Sequence, residues 1–192
     1  MGINNMKLSL DSMRIDREDA VLVAIDFQEK LMPAMADREF LEDRVIRLAK
    51  GINALGIPKV VTEQYPRGLG STISAIAEAM GDFSPIDKGT FSACGNEDFV
   101  KALEKTGKKT VLLCGIETHI CVLQTAFDLI EKGYKVVLIE DGCSSRSLRD
   151  SASALSRIAI AGAVVTTVEA ALMEMIGGTQ SPDFKAISKI IK

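Results

Sequence analysis

Six short runs of apolar, largely β-branched residues constrain this chain's fold more than any other feature. They are AVLVAID (20–26), PKVVTEQ (58–64), SPIDK (84–88), KTVLLCG (109–115), YKVVLIED (134–141) and GAVVTT (162–167). Most are unbroken rather than alternating, the pattern of strands buried on both faces. Parallel strands need crossover connections, usually helical. The intervening segments supply them. Leu41, Val45, Leu48, Ile52 and Leu55 step by four and three along one buried helical face. Ser71 to Met80 reads as a short helix begun by a serine cap. Asn96 opens another to about Thr106, with Glu97 and Asp98 suited to its positive end. Residues 119–132 stop at Lys132-Gly133, residues 147–161 stop before Gly162, and Val168 to Met175 stop at Gly177-Gly178. Ser181-Pro182 opens a last amphipathic helix. This alternation predicts an α/β fold, a three-layer α/β/α sandwich around a central, mostly parallel six-stranded sheet. The 192 residues suffice for one well-packed domain, and no repeat or low-complexity linker divides them. A single domain over 1–192 is expected, with 1–19 as an N-terminal extension.

A net charge of −3 without a basic run argues against a nucleic-acid partner. No apolar stretch approaches the roughly 18 residues of a membrane span, so no membrane partner is expected. The polar N-terminus lacks the apolar core of a signal peptide, and MGINNM has no Ser or Thr at its sixth position for myristoylation. Cys94, Cys114, Cys121 and Cys143 form no C-x-x-C pair and read as reduced thiols in a cytoplasmic protein. His119 is the one histidine, which rules out a site built on two histidines of one chain.

Ligands of open α/β sheets bind outside the carboxyl ends of the strands. The polar residues at those ends are Asp26, then Glu63 and Gln64, Asp87 and Lys88, Gly115 to Cys121, and Asp141 with Cys143 to Ser145. Asp26 could be a cap, a metal ligand, a phospho-acceptor or a base; Phe27 and Gln28 follow it, so no D-x-D pattern is present. Lys88 is either solvated or, among the small and apolar residues of KGTFSAC, a cation pointed into a pocket. Cys121 begins a helix, where the dipole and free N–H groups would lower a thiol's pKa. A packing cysteine suits the same apolar surroundings, and spacing alone leaves both readings open. Cys114 reads as core, while Cys94 and Cys143 read as loop cysteines with no activator. His119 lies two residues from Cys121 and should point elsewhere, to a pocket rim or the surface. GLGST (68–72) is no P-loop, and there is no G-x-S-x-G elbow.

AIDFQEKL (24–31), KGTFS (88–92), GIETHICVLQTAFDL (115–129) and DGCSSRS (141–147), in that order, resemble the isochorismatase-like cysteine hydrolases from about Ala20 onward. TEQYP (62–66) and FKAISKIIK (184–192) are most similar to the isochorismatase domain-containing branch. The resemblance implies a catalytic triad of Asp26, Lys88 and Cys121. Asp26 would take the thiol proton and return it as an acid. Lys88 would hold Asp26 and stabilise the thiolate. Cys121 would attack a carbonyl carbon to give an acyl-enzyme that water hydrolyses. The resemblance also implies a cis peptide between Ile116 and Glu117, with the N–H groups of Glu117 and Cys121 forming an oxyanion hole, and it implies a homo-oligomer.

Two departures shape the expected chemistry. Metal-dependent relatives carry histidines after the second strand, where this chain reads TEQYPRGLG. No metal and no cofactor are therefore expected, and nicotinamide becomes a poor substrate candidate. Enzymes acting on isochorismate itself generally lack the cysteine, so Cys121 implies amide-type chemistry on a small molecule. Position alone suggests pocket walls of Phe27, Gln64, Phe91 and Ile120. Two alternatives stand beside this reading. One is a catalytically silent binding or scaffold protein of the same fold. The other is a thiol-redox role with Cys143 resolving Cys121.

Overall fold

The computed structural model describes residues 13–192. The first 12 residues, which carry the leader and acylation readings and most of the expected extension, lie outside them. Six strands form one fully parallel sheet: β1 (Ala20–Ile25), β2 (Lys59–Gln64), β3 (Ile86–Lys88), β4 (Thr110–Ile116), β5 (Lys135–Ser144) and β6 (Val164–Thr166). Their spatial order is β3-β2-β1-β4-β5-β6. The helices are α1 (Arg38–Ala54), α2 (Pro66–Leu69), α3 (Ser74–Met80), α4 (Glu97–Lys105), α5 (Leu123–Glu131), α6 (Leu148–Ile160), α7 (Val168–Ile176) and α8 (Phe184–Ile191).

Strand side chains alternate between two cores. Leu22, Ala24, Leu112, Cys114, Val137 and Ile139 face α1, α3, α7 and α8. Val21, Val23, Ile25, Val111, Leu113, Val136 and Leu138 face α4, α5 and α6. All six residues of β1 are buried, which is why the run has no polar alternation. Each large apolar side chain so buried contributes about 1.5–3 kcal/mol. The edge strands β3 and β6 have only three residues each, which limits the ladder they offer to another chain. The arrangement is the expected three-layer α/β/α sandwich.

Residues 13–19 are tied to this body. The Ile15 N–H donates to Glu174 Oε1 at 2.8 Å, and Arg17 pairs with Asp183 at 2.6 Å. Asn96 caps the helix that follows it: its Oδ1 accepts from the N–H groups of Asp98 and Phe99.

Three local expectations need correction. The helix expected from Ser71 begins at Ser74, and the Ser71 side chain does not cap it. The Ser71 carbonyl instead accepts from Glu29, and the Thr72 N–H donates to Glu63, so both residues bind the loop after β1 and the end of β2. The segment expected to start an α-helix at 119 first makes a π-helical turn, Thr118–Val122. Finally, β5 runs past its apolar stretch to Ser144. Its register with β4 slips between Leu113↔Leu138 and Gly115↔Cys143. Cys143 therefore lies in a strand and not in a loop.

The order of strands positions the site. The chain leaves β1 toward β2, while β4 lies on its other side. The carboxyl ends of β1 and β4 thus flank the switch point where open α/β sheets bind ligands. Close approach there depends on Gly115, whose φ is +148°. A Cβ on Gly115 would stand 2.4 Å from Ile25 Cβ and 2.6 Å from its carbonyl oxygen. Gly107, with φ +68°, has open space around it. Gly107→Ala should cost about 1 kcal/mol from backbone strain alone, and Gly115→Ala about 2–3 kcal/mol more through overpacking. Urea titrations of both variants measure this, and equal losses would contradict the close packing of β1 on β4.

Candidate active site

Asp26 follows β1 with φ +58°, a left-handed conformation that aspartate tolerates better than most residues. Its N–H donates to the Thr62 carbonyl at 3.1 Å, which turns the residue across the end of β2. The carboxylate is fully buried. Oδ1 accepts from Thr62 Oγ1 at 2.7 Å, and Oδ2 accepts from Lys88 Nζ at 2.7 Å. Lys88 ends β3 and is also 0% exposed. Its ammonium further donates to Gln64 Oε1 at 2.7 Å and to the carbonyls of Thr90 and Phe91 at 3.2 and 3.3 Å. The parallel register of Gln64 with Lys88 sets the first of these contacts. Of the two readings of Lys88, the structure shows the buried cation.

Cys121 sits in the π-helical turn after β4, is 6% exposed, and lies within hydrogen-bonding reach of both Asp26 and Lys88. The Ile116–Glu117 peptide bond just before this turn is cis. A helix start alone would lower a thiol's pKa; here burial acts against it. Burial pushes the Cys121 thiol up to about 12. The Lys88 charge pulls it down, while the charge of Asp26 and its hydrogen bond push it up. Desolvation outweighs the helix terminus because the sulfur is enclosed. At pH 7 the thiol is therefore held in its protonated form. The resting site is a neutral thiol beside a buried ion pair.

The other expected residues distribute unevenly. Gln64 touches Lys88, and its Nε2 donates to the Gly89 carbonyl at 3.1 Å. Phe91 contributes its carbonyl to Lys88 while its ring is 56% exposed. Ile120 is half-buried. Phe27 is 1% exposed and belongs to the same core cluster as Met32 and Ile76. Glu117 accepts from the N–H of Arg146 at 2.9 Å and from its Nε at 3.1 Å, which ties the turn to the segment after β5. His119 is half-buried with Nδ1 2.9 Å from Ser145 Oγ, beside the site and not on the thiol. Cys143 pairs in register with Gly115 of β4, next to Cys114.

Sequence reasoning passed over Thr62 and Gln28. Thr62 holds the carboxylate of Asp26. Gln28 Nε2 donates to the carbonyls of Gln64 and Gly70 at 3.0 and 2.7 Å, and its Oε1 accepts from the Gln64 N–H at 2.7 Å. Both are polar residues at or just after strand ends, which was the available signal. Glu63, at the end of β2, accepts from the Thr72 N–H and hydroxyl. Among the described residues no three His, Cys, Asp or Glu side chains converge to hold a metal ion.

The thiols make stability depend on alkaline pH. Burial raises Cys94 to about 11 and Cys121 and Cys143 to about 12, against 9.0 for a free cysteine. The folded chain therefore holds more protons than the unfolded chain between about pH 9 and 12. This contribution to stability is complete below about pH 9 and lost as pH rises through the window. Urea midpoints measured at pH 8, 9, 10 and 11 should fall, and Cys143→Ala should flatten the fall. An unchanged slope in that variant would contradict the assignment.

Comparison with known proteins places residues 20–170 in the isochorismatase domain. Isochorismatase domain-containing protein 1 of Salmo salar is 39% identical over 175 residues, covering 90% of this chain and 60% of that protein. The chain therefore spans less than two thirds of that relative. Isochorismatase domain-containing protein 2A of Mus musculus is 39% identical over 184 residues, covering 93% of this chain and 85% of that protein. The MAR1 ribonuclease of Caenorhabditis elegans superposes with a TM-score of 0.87 at 38% identity, covering 93% of this chain and 92% of that one. YcaC of Escherichia coli, an octameric hydrolase of unknown specificity, gives 0.88 at 26% identity, covering 93% and 89%. YcaC of Pseudomonas aeruginosa, with covalent acrylamide, gives 0.86 at 26% identity, covering 92% and 91%.

Proposed function

Because this chain belongs to the isochorismatase family, we propose that it is a metal-independent cysteine hydrolase acting on a small amide or related C–N bond. The observation that carries this reading is the Asp26–Lys88 ion pair, 0% exposed at both side chains and in reach of the Cys121 thiol. Removing two charges from water costs several kcal/mol per ion, and a buried pair is often no more stabilising than apolar residues of the same size. Stability alone therefore gives little reason for this pair, whereas a thiol that must lose a proton does.

In the proposed reaction the Cys121 S–H proton passes to Asp26 as sulfur attacks the substrate carbonyl carbon. The C–S bond forms and the carbonyl oxygen gains the negative charge. The N–H groups of Glu117 and Cys121 receive that charge. As the tetrahedral species collapses, the C–N bond breaks and Asp26 returns the proton to the departing nitrogen. Water, deprotonated by Asp26, then attacks the thioester. The C–S bond breaks, a carboxylic acid leaves, and the thiol regains its proton. Lys88 holds Asp26 in place through its 2.7 Å contact with Oδ2. Proton transfer coupled to attack removes any need for a resting thiolate, in agreement with the raised thiol.

The covalent acrylamide on YcaC of Pseudomonas aeruginosa supports a nucleophile in this fold. The octamer of the Escherichia coli protein supports a homo-oligomer, which sedimentation would measure. The Caenorhabditis elegans ribonuclease, at 38% identity, favours a second reading, RNA cleavage. The net charge of −3 and the engagement of His119 with Ser145 weigh against it.

Wild-type protein incubated with acrylamide should gain one adduct on the Cys121 peptide. A panel of small amides and carbamoyl compounds should include a substrate whose turnover falls at least about 10³-fold in Cys121→Ala with the fold retained. Turnover that survives in Cys121→Ala would sink the proposal. RNA cleavage lost in the same variant would support the second reading. Ligand binding without product in the wild type would support a silent binding protein.

A further inference from the structure

The carbonyls of Thr90 and Phe91 that accept from Lys88 belong to a loop with its own anchors. Thr90 Oγ1 donates to the Ser92 carbonyl at 2.7 Å. Ser92 Oγ donates to Asp128 Oδ2 at 2.5 Å, and the Ala93 N–H donates to Thr125 Oγ1 at 2.9 Å. Thr125 is completely buried and Asp128 is half-buried. Both lie on α5, the helix that continues from the turn bearing Cys121. Cys121, Thr125 and Asp128 are spaced i, i+4 and i+7, which on a helix is one face. The face that presents the thiol to Lys88 is thus the face that grips the loop holding Lys88.

We propose that Thr125 and Asp128 are positioning residues that fix the distance between Lys88 and Cys121 by clamping the 90–93 loop to α5. This inference deepens the hydrolase reading and names no further group at the reacting atoms. Lys88 is anchored on one side by Asp26 and Gln64, which β1 and β2 carry, and on the other by a loop bound to the nucleophile's own helix. A shift of α5 therefore moves the thiol and the lysine cradle together. Releasing the clamp lets the cradle drift from the thiol and weakens the pull of Lys88 on the sulfur.

The experiment is the pH dependence of Cys121 alkylation by iodoacetamide, read peptide by peptide in the intact protein. Thr125→Val keeps the side chain's shape and removes the acceptor. It should slow Cys121 alkylation about tenfold at every pH tested between about 8 and 11. Thr125→Ser should restore the wild-type profile. Ser92→Ala, in a half-buried residue that tolerates change better, should give a smaller loss of rate. In a Lys88→Ala background, Thr125→Val should add nothing, because its effect runs through Lys88. Profiles of Thr125→Val and Ser92→Ala that match the wild type would overturn the proposal, as would a full further loss in the Lys88→Ala background. The outcome does not depend on the hydrolase reading. A slowed profile in a protein that hydrolyses no amide would uphold the clamp and reject that reading, and amide turnover with an unchanged profile would do the reverse.

Discussion

The contact between Lys88 Nζ and Asp26 Oδ2, 2.7 Å long and closed to solvent, is the interaction on which the rest of the site depends. Its partners come from separate elements: Asp26 from the end of β1, Lys88 from the end of β3, and Thr62 and Gln64 from the strand between them. The Thr62 hydroxyl donates to the other carboxylate oxygen, and the Gln64 amide oxygen and the Thr90 and Phe91 carbonyls accept from the ammonium. A buried charge pair survives only under such conditions, since its attraction must offset the loss of water around both ions. Loss of either charge alone would strand the other, so the two are one structural unit.

That unit explains the state of the cysteine. The positive end of a helix lowers a thiol's pKa when water can share the charge. Here the sulfur is enclosed, and desolvation acts first. Lys88 and Asp26 pull in opposite directions on the same proton, leaving a neutral thiol with an acceptor and a cation already in place.

The sheet was legible because burial on both faces leaves an unbroken apolar run, and each of the six runs became a strand within a few residues. The helix that follows Asn96 reflects local chemistry that a short segment contains entirely. Asp26, Lys88 and Cys121 stood out as chemically capable residues at strand ends, and the fold assembles them because β1 and β4 are neighbours while β3 is two strands away. What could not be read depends on tertiary environment. The enclosure that raises Cys121, the burial of Phe27, the register slip that draws Cys143 into β5, and the service of Ser71 to a neighbouring loop all follow from packing between segments distant in sequence. Thr62 was legible as a strand residue but not as the partner of a carboxylate 36 positions earlier.

The most direct test of the central claim is the protonation state of Cys121 in the resting protein. Ultraviolet thiolate absorbance of the wild type minus that of Cys121→Ala, followed from about pH 5 to 11, isolates this one sulfur from the other three. The account predicts no difference signal up to about pH 9 and a gradual rise only above it, since the folded thiol is held near 12. A thiolate signal titrating below about pH 8 would contradict it, and would mean that Lys88 and the helix terminus outweigh burial at this site.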